Sequence, residues 1–482
     1  MHLWPYLSLS LGLLLFVTAC QRRPGPGAPT PPAARVGARA APRTPGGRPT
    51  PARPQPTARG AYATGTSRPD AAELAWLRRF RQVHAGGLGD PLPPDAVQSL
   101  RRGGVEILWA YDWLPATYHY TDGQPDDPLT AWLYANRFTL TLNPQGPFPH
   151  CTAEGYTWCQ DFYFDLGNPT VRARRVAFLK TWTQEHGYDG VFFDWGNAMF
   201  LEEPAYASLR RAYRQRHPDL PYPQAVALFW QALRDQGVLV QANQAYRNAE
   251  ALWPAIDADM AESYATTDQP AAQTLLLVGQ GTRPVPLTVY FPVSEDPTQG
   301  RLDDTLEVLR HLQRLRTRFP RAVPHGLVLL NYAAPRWEPQ PSGRGYRAAR
   351  PRNAIYYAYA LGRLVGFPTY TEVPWDHALE RDEVYFYDLG AAVEADYRAL
   401  PQGGYVRFYR RGLALVGWWP AATTIVLRHP SLPAQGWAYD LYRGQWLTVD
   451  DHSLALPVTP EADPLTGRVA PLGRIVLYAP GE

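Results

Sequence analysis

From about residue 105 onward, short apolar runs alternate with longer stretches whose apolar residues recur at spacings of three and four. The short runs have the length of buried strands, and the longer spacing marks one face of a helix. The predicted strands are Ile107–Tyr111, Phe138–Leu142, Phe162–Asp165, Gly190–Asp194, Val238–Asn243, Asp259–Tyr264, Leu287–Phe291 and Leu327–Asn331. Val171 to Glu185 is the clearest helix, with Val171, Ala177, Phe178, Leu179 and Trp182 set among arginines and polar residues. Asn168 is placed to cap it, and Pro169 falls at the first helical position, where no N–H is needed. Repeated strand-then-helix units predict a parallel sheet of the α/β class, and eight of them fit a closed (β/α)8 TIM barrel. A doubly wound sheet would carry a glycine-rich turn after its first strand. The chain has Tyr111-Asp112-Trp113-Leu114-Pro115 there instead.

Beyond about Trp375 the helical spacing disappears. Tyr405–Tyr409, Leu413–Trp418, Thr424–Arg428, Trp437–Leu441 and Arg474–Tyr478 alternate in twos between Gly, Pro and Asp turns. Residues 376–482 are therefore expected to form an antiparallel β-sandwich, packed on a barrel spanning residues 71–375.

The amino-terminal part reads differently. Leu7 to Val17 is an apolar run too short for a membrane-spanning helix, which needs about 20 residues. It fits the apolar centre of a secretory signal over residues 1–19. The run ends in Val17-Thr18-Ala19-Cys20, which resembles a bacterial lipobox. That resemblance implies cleavage before Cys20 and lipidation of its thiol, hence an extracytoplasmic protein anchored to the cell envelope. Residues 20–70 are rich in Pro, Arg, Gly, Ala and Thr and carry one acid, Asp70. Such a chain buries too little apolar surface to offset its ordering entropy, so a disordered tether is expected.

Charge follows the same division. The whole chain is +3, but the excess of arginine sits in the tether, and the remainder is net acidic. Nucleic acid is thus not an expected partner. Apart from Cys20, the cysteines are Cys151 and Cys159, eight residues apart in a polar, aromatic stretch. In an oxidising compartment these two are expected to form a disulfide. The histidines are scattered and avoid the predicted strand ends, so neither a metal nor another cofactor is expected.

In a barrel, reactive groups belong at the carboxyl ends of the strands. Two predicted strands end in acids: Gly190-Val191-Phe192-Phe193-Asp194, and Met260-Ala261-Glu262. Counted fourth and sixth, they share parity, so Asp194 and Glu262 can converge at one mouth. A carboxylate pair is what glycosidic cleavage requires, one acid to protonate the departing oxygen and one to attack or to activate water. Aromatic residues near strand ends, including Trp195, Tyr264, Tyr290 and Tyr332, offer faces for sugar rings. Asp165, at the end of the third predicted strand, joins them as a candidate contact to substrate.

The run Asp165-Leu166-Gly167-Asn168-Pro169-Thr170-Val171-Arg172, followed by Gly187-Tyr188-Asp189-Gly190-Val191-Phe192-Phe193-Asp194, resembles glycoside hydrolase family 114, the endo-α-1,4-polygalactosaminidases. It is also similar to the hydrolase domain of exopolysaccharide-biosynthesis proteins. Asn243, Leu252 to Ile256 and Ala261-Glu262-Ser263 look like the stretch carrying these families' second acid. The resemblance spans residues 105 to 335. It implies a glycosidase acting on a polysaccharide, with Asp194 and Glu262 as the pair and Tyr111, Asp112 and Asn243 lining the site. Analogy with barrel enzymes on α-linkages makes Asp194 the nucleophile and Glu262 the acid/base. The alternative is a surface lipoprotein that binds polysaccharide without cleaving it. Sugar, linkage, stereochemistry and oligomeric state stay open at this level.

Overall fold

The computed structural model describes residues 51–120, 139–140, 158–202, 207–262, 274–277, 284–287, 301–332, 335–340, 343–348, 351–372, 381–462 and 469–479. Eight strands form one parallel sheet: β1 (Gly60–Gly65), β2 (Phe80–Gly87), β3 (Ile107–Trp113), β4 (Gly190–Asp194), β5 (Leu239–Asn243), β6 (Ala258–Glu262), β7 (Leu327–Tyr332) and β8 (Thr369–Glu372). They pair in chain order, and the sheet curls into a nearly closed barrel. At the seam, Thr64 on β1 donates to Glu372 on β8 at 3.0 Å. An aromatic cluster of Trp76, Phe80, Tyr370, Tyr385 and Phe386 packs there, and the Thr371 N–H donates to the Tyr385 hydroxyl at 3.2 Å.

Strand alternation separates an inner from an outer face. Phe192 on β4 turns inward and meets the His84 ring of β2 at 4.7 Å between centroids. Its neighbour Phe193 turns outward onto Phe229 and Trp230 of the helix Tyr222–Asp235. That helix buries Tyr222, Ala225, Val226, Phe229, Trp230 and Leu233, one stripe at spacings of three and four. Each large side chain so buried contributes about 1.5–3 kcal/mol. The helix Pro169–His186 begins as its sequence predicts. Asn168 Oδ1 accepts from the Thr170 N–H at 2.9 Å, and Gly187 ends the helix in the left-handed region at φ 74°.

Several expectations need correction. The barrel starts at Gly60, inside the stretch assigned to the tether, and the Glu383–Phe386 segment still packs on it. Thus the barrel begins before residue 71, while its last strand ends at Glu372. The sequence Gly60-Ala61-Tyr62-Ala63-Thr64-Gly65 reads as linker because its small residues are what the packing demands. A Cβ on Gly60 would run into the Phe80 ring. Phe138–Leu142 and Phe162–Asp165 are not barrel strands. Thr139–Leu140 and Trp158–Phe164 instead join Ala116–Tyr120 in a three-stranded antiparallel sheet. Pro284–Leu287 pairs antiparallel with Thr274–Leu277, and the predicted strand Leu287–Phe291 lies, beyond Leu287, outside the described residues. Two strands missed before Ile107 balance two misassigned after it, which leaves Gly190–Asp194 fourth and Ala258–Glu262 sixth.

The carboxyl-terminal strands form one eight-stranded antiparallel sheet. In chain order they are β9 (Arg398–Ala399), β10 (Tyr405–Tyr409), β11 (Gly412–Gly417), β12 (Thr423–Arg428), β13 (Gln435–Asp440), β14 (Gln445–Asp450), β15 (Ser453–Val458) and β16 (Leu472–Tyr478). They pair in the order β9-β10-β11-β16-β13-β14-β15-β12. The sheet folds over a second core that joins Val406, Phe408 and Leu415 to Ile425, Leu427 and Leu456. His429 stacks on Phe408 across it, 4.1 Å between centroids.

The helix Pro351–Val365 lies between this sheet and the barrel. Asn353 donates to the Pro471 carbonyl at 3.1 Å, and Arg407 of β10 donates to the Leu364 carbonyl at 2.8 Å. Gly473 lets β16 approach the helix backbone. A Cβ there would stand 2.5 Å from the Tyr357 Cα and would also meet the Tyr356 carbonyl. Gly473→Ala is therefore expected to destabilise the protein by about 1–3 kcal/mol in urea unfolding, as overpacking does.

Candidate active site

Asp194 ends β4 and Glu262 ends β6, both inward and both half-buried. Between them, at the end of β5, stands Asn243, which is 6% exposed. Its Nδ2 donates to Asp194 Oδ1 at 2.9 Å and to Glu262 Oε2 at 2.6 Å. One amide nitrogen thus holds both acids. Asp194 accepts two further hydrogen bonds, from the Tyr111 hydroxyl to Oδ2 at 2.9 Å and from the Trp195 N–H to Oδ1 at 2.8 Å.

The backbone is bent to deliver these groups. Trp195 directly follows Asp194 with φ 56°, and Gln244 directly follows Asn243 with φ 61°. Left-handed backbone costs a non-glycine residue about 1–2 kcal/mol and persists only where surroundings impose it. For Trp195 the bend turns its N–H back onto Asp194. Gly196 then crosses the end of β5, where a Cβ would stand 2.6 Å from the Asn243 nitrogen. The turn after Gln244 is held by Asp259 on the outer face of β6. Its carboxylate accepts from the N–H groups of Ala245, Tyr246 and Met260 and from the Trp253 indole. Burial pushes the Asp259 pKa up to about 7, while the four donors act in the opposite sense.

Beneath the acids the barrel interior is partly polar. His84 lies beside Phe192 and parallel to Tyr111, and its desolvation lowers its pKa to about 4, so it is neutral at pH 7. Tyr62 of β1 reaches across to β5, its hydroxyl 3.5 Å from Gln241 Oε1.

The other predicted residues divide clearly. Tyr111 is at the acids, and so is the backbone of Trp195. Asp112 turns outward, and its carboxylate binds Arg175 at 2.6 Å, with Arg175 only 1% exposed in its side chain. Arg175 also donates to the Leu114 carbonyl at 2.6 Å and stacks on Phe164. Asp165 is buried and engages His217 at 2.7 Å and Arg216 at 3.2 Å. Neither acid is brought to Asp194. Tyr332 closes β7 in register with Glu372; its side chain, together with Tyr264, Tyr290, Cys151 and Cys20, lies outside the described residues. Cys159 sits in the three-stranded side sheet, paired with His119. Trp109, Trp113 and Tyr246 are core residues.

Sequence reasoning missed Glu372, a third inward acid at a strand end, because β8 is short and polar. Among the described residues, no group of three or more His, Cys, Asp or Glu side chains is arranged to hold a metal ion.

No family model and no curated protein matches the sequence. Among solved structures, the chain is similar to the glycoside hydrolase domain of PelA from Pseudomonas aeruginosa, with 19% identity and a TM-score of 0.38 over 66% of this chain and 96% of that one. Aspergillus fumigatus Ega3 in complex with galactosamine is similar at 12% identity and a TM-score of 0.36, over 68% of this chain and 96% of that one. A β-L-arabinopyranosidase from Geobacillus stearothermophilus gives 11% identity and a TM-score of 0.47, over 88% and 97%. At these values the likeness says nothing about reacting residues.

Removing the Asp112 charge leaves Arg175 buried without its partner. Asp112→Ala is expected to cost about 3–5 kcal/mol in chemical denaturation. A loss under 1 kcal/mol would show that this pair is not structural.

Proposed function

We propose that the chain is a retaining glycoside hydrolase in which Asp194 is the nucleophile and Glu262 the acid/base. The observation that carries this reading is the shared Asn243 nitrogen. Two oxygens bound to one atom at 2.9 and 2.6 Å cannot stand further apart than those two lengths combined. So close an approach of the nearest oxygens favours the ~5–5.5 Å carboxyl separation of a retaining pair over the ~6.5–9.5 Å that an inverting pair needs for its water. Roles follow from the donors. In such pairs the carboxylate in the polar, hydrogen-bonded setting is the one that attacks, and Asp194 accepts three hydrogen bonds from groups fixed to the barrel.

The reaction then runs in two displacements. Asp194 Oδ attacks the anomeric carbon while Glu262 gives its proton to the departing glycosidic oxygen, leaving a glycosyl ester on Asp194. Glu262, now ionised, takes a proton from water, and the resulting hydroxide attacks the same carbon to free the ester. Two inversions return the starting configuration. The substrate class, from the resemblance of the Asp194 and Glu262 stretches, is an α-linked polysaccharide that contains amino sugars. With the Cys20 anchor, that polymer belongs to the cell envelope or its surroundings.

The test is reducing-end release from a panel of amino-sugar and α-linked polymers, with the first-formed anomer read by proton NMR. Asp194→Asn and Glu262→Gln are each expected to lower kcat by at least about 10³-fold, in line with the loss of an activated group. A product of inverted configuration would overturn the mechanism. A wild-type protein that binds polymer but releases nothing would make the chain a binding protein. For the anchor, the full-length precursor made in a secreting bacterium is expected in the detergent phase on phase partition. Cys20→Ser is expected to move it to the aqueous phase.

A further inference from the structure

Two orphaned amide atoms lie one layer apart on the inner face of β5. The Asn243 Oδ1 and the Gln241 Nε2 are both buried and have no hydrogen-bond partner among the described residues. Gln241 has no exposed surface, and Asn243 is 6% exposed. An unpaired buried amide costs about 1–3 kcal/mol, so such groups are normally served by internal water.

The two atoms are complementary, one an acceptor and the other a donor. Positions two apart on a strand point the same way with about 6.6 Å between them along it, and the longer Gln241 side chain can shorten that gap to the roughly 5.6 Å that one water bridges with two hydrogen bonds. The orientation of each amide is imposed by its other end. Asn243 spends both Nδ2 hydrogens on Asp194 and Glu262, which turns its Oδ1 away from them. Gln241 faces the Tyr62 hydroxyl with Oε1 at 3.5 Å, which leaves Nε2 for another partner. Burial raises the Tyr62 pKa well above its usual value, so that hydroxyl remains a donor.

We infer that Gln241 is a positioning residue. It donates to an internal water that in turn donates to Asn243 Oδ1, and this locks the Asn243 amide with its nitrogen toward both carboxylates. Tyr62 sets the Gln241 amide from the opposite wall of the barrel. Without the lock, the Asn243 amide can rotate by half a turn and present its oxygen to two carboxylates.

This inference rests on the hydrolase reading, and two variants test it. Gln241→Met keeps the length and removes the donor, while Tyr62→Phe removes one hydroxyl and tests the same lock with little disturbance to folding. With a cleaved polymer as substrate, Gln241→Met is expected to lower kcat about tenfold, with KM changed less than about twofold, because displaced catalytic groups cost rate more than binding. The pH profile of kcat is expected to shift, since the amide between the acids is no longer fixed. Tyr62→Phe should move both in the same direction by less. Wild-type kcat and pH profile in both variants would overturn the inference while leaving the hydrolase reading intact. If the wild type proves inactive, a high-resolution crystal structure decides instead. Density for a water within hydrogen-bond distance of both Gln241 Nε2 and Asn243 Oδ1 supports the lock, and its absence refutes it.

Discussion

The arrangement of the site depends on one amide nitrogen placed between two carboxylates. Asn243 can reach both acids only from the strand that separates theirs, and only if all three side chains point into the barrel. The register supplies both conditions. Phe193 is level with Ala242, so Asp194 falls beside Asn243, while Asn243 itself is level with Met260. Glu262 is therefore one inward layer higher, and Asn243 spans the stagger between neighbouring strands. A slip of one residue in either ladder would turn one of the three outward and break the bridge.

Parity also explains which acids are reactive candidates. Asp112, Asp165 and Asp257 have guanidinium partners, Arg175, Arg216 and Arg234, and Asp165 also meets the His217 ring. Asp259 is taken up by four N–H donors behind the strand. These acids fasten strand ends to helices and turns. Asp194 is held by a phenol, a backbone N–H and an amide, all neutral. A guanidinium would add a positive charge beside the carboxylate, whereas neutral donors orient it without one.

The sequence made the strand–helix alternation after Ile107, the capped helix at Asn168 and the change of texture in the carboxyl-terminal part legible. Each of these depends on local spacing. The strands Gly60–Gly65, Phe80–Gly87 and Thr369–Glu372 were hidden because their inward positions are small or polar: Gly60 lies under Phe80, and Gln82, His84 and Glu372 face the interior or the mouth. An apolar-run criterion finds strands buried on both faces and misses those that line a polar interior. Asp194 and Glu262 were found on the correct strands through errors that cancelled. Asp112 was expected in the site only through the family resemblance, which takes no account of strand parity. Its place beside Phe193 in the ladder sends it outward to Arg175.

Two strained residues show how the barrel maintains its mouth. Trp195 and Gln244 stand in left-handed backbone where glycine would be cheaper, each one position after a residue of the site. Glycine at either place would relieve the strain but would also let the strand end wander. With a side chain, Trp195 packs against the core and its N–H is fixed on Asp194. Gln244 donates its own N–H to the Met260 carbonyl at 2.7 Å, which ties the end of β5 to β6 just below Glu262. The strain thus falls where a strand must stop abruptly, and the bonds that offset it are those that hold the donors in place. Precision at the mouth is drawn from the stability of the packed outer layer, since only a rigid β4–β5–β6 unit can maintain a turn that its own residues disfavour.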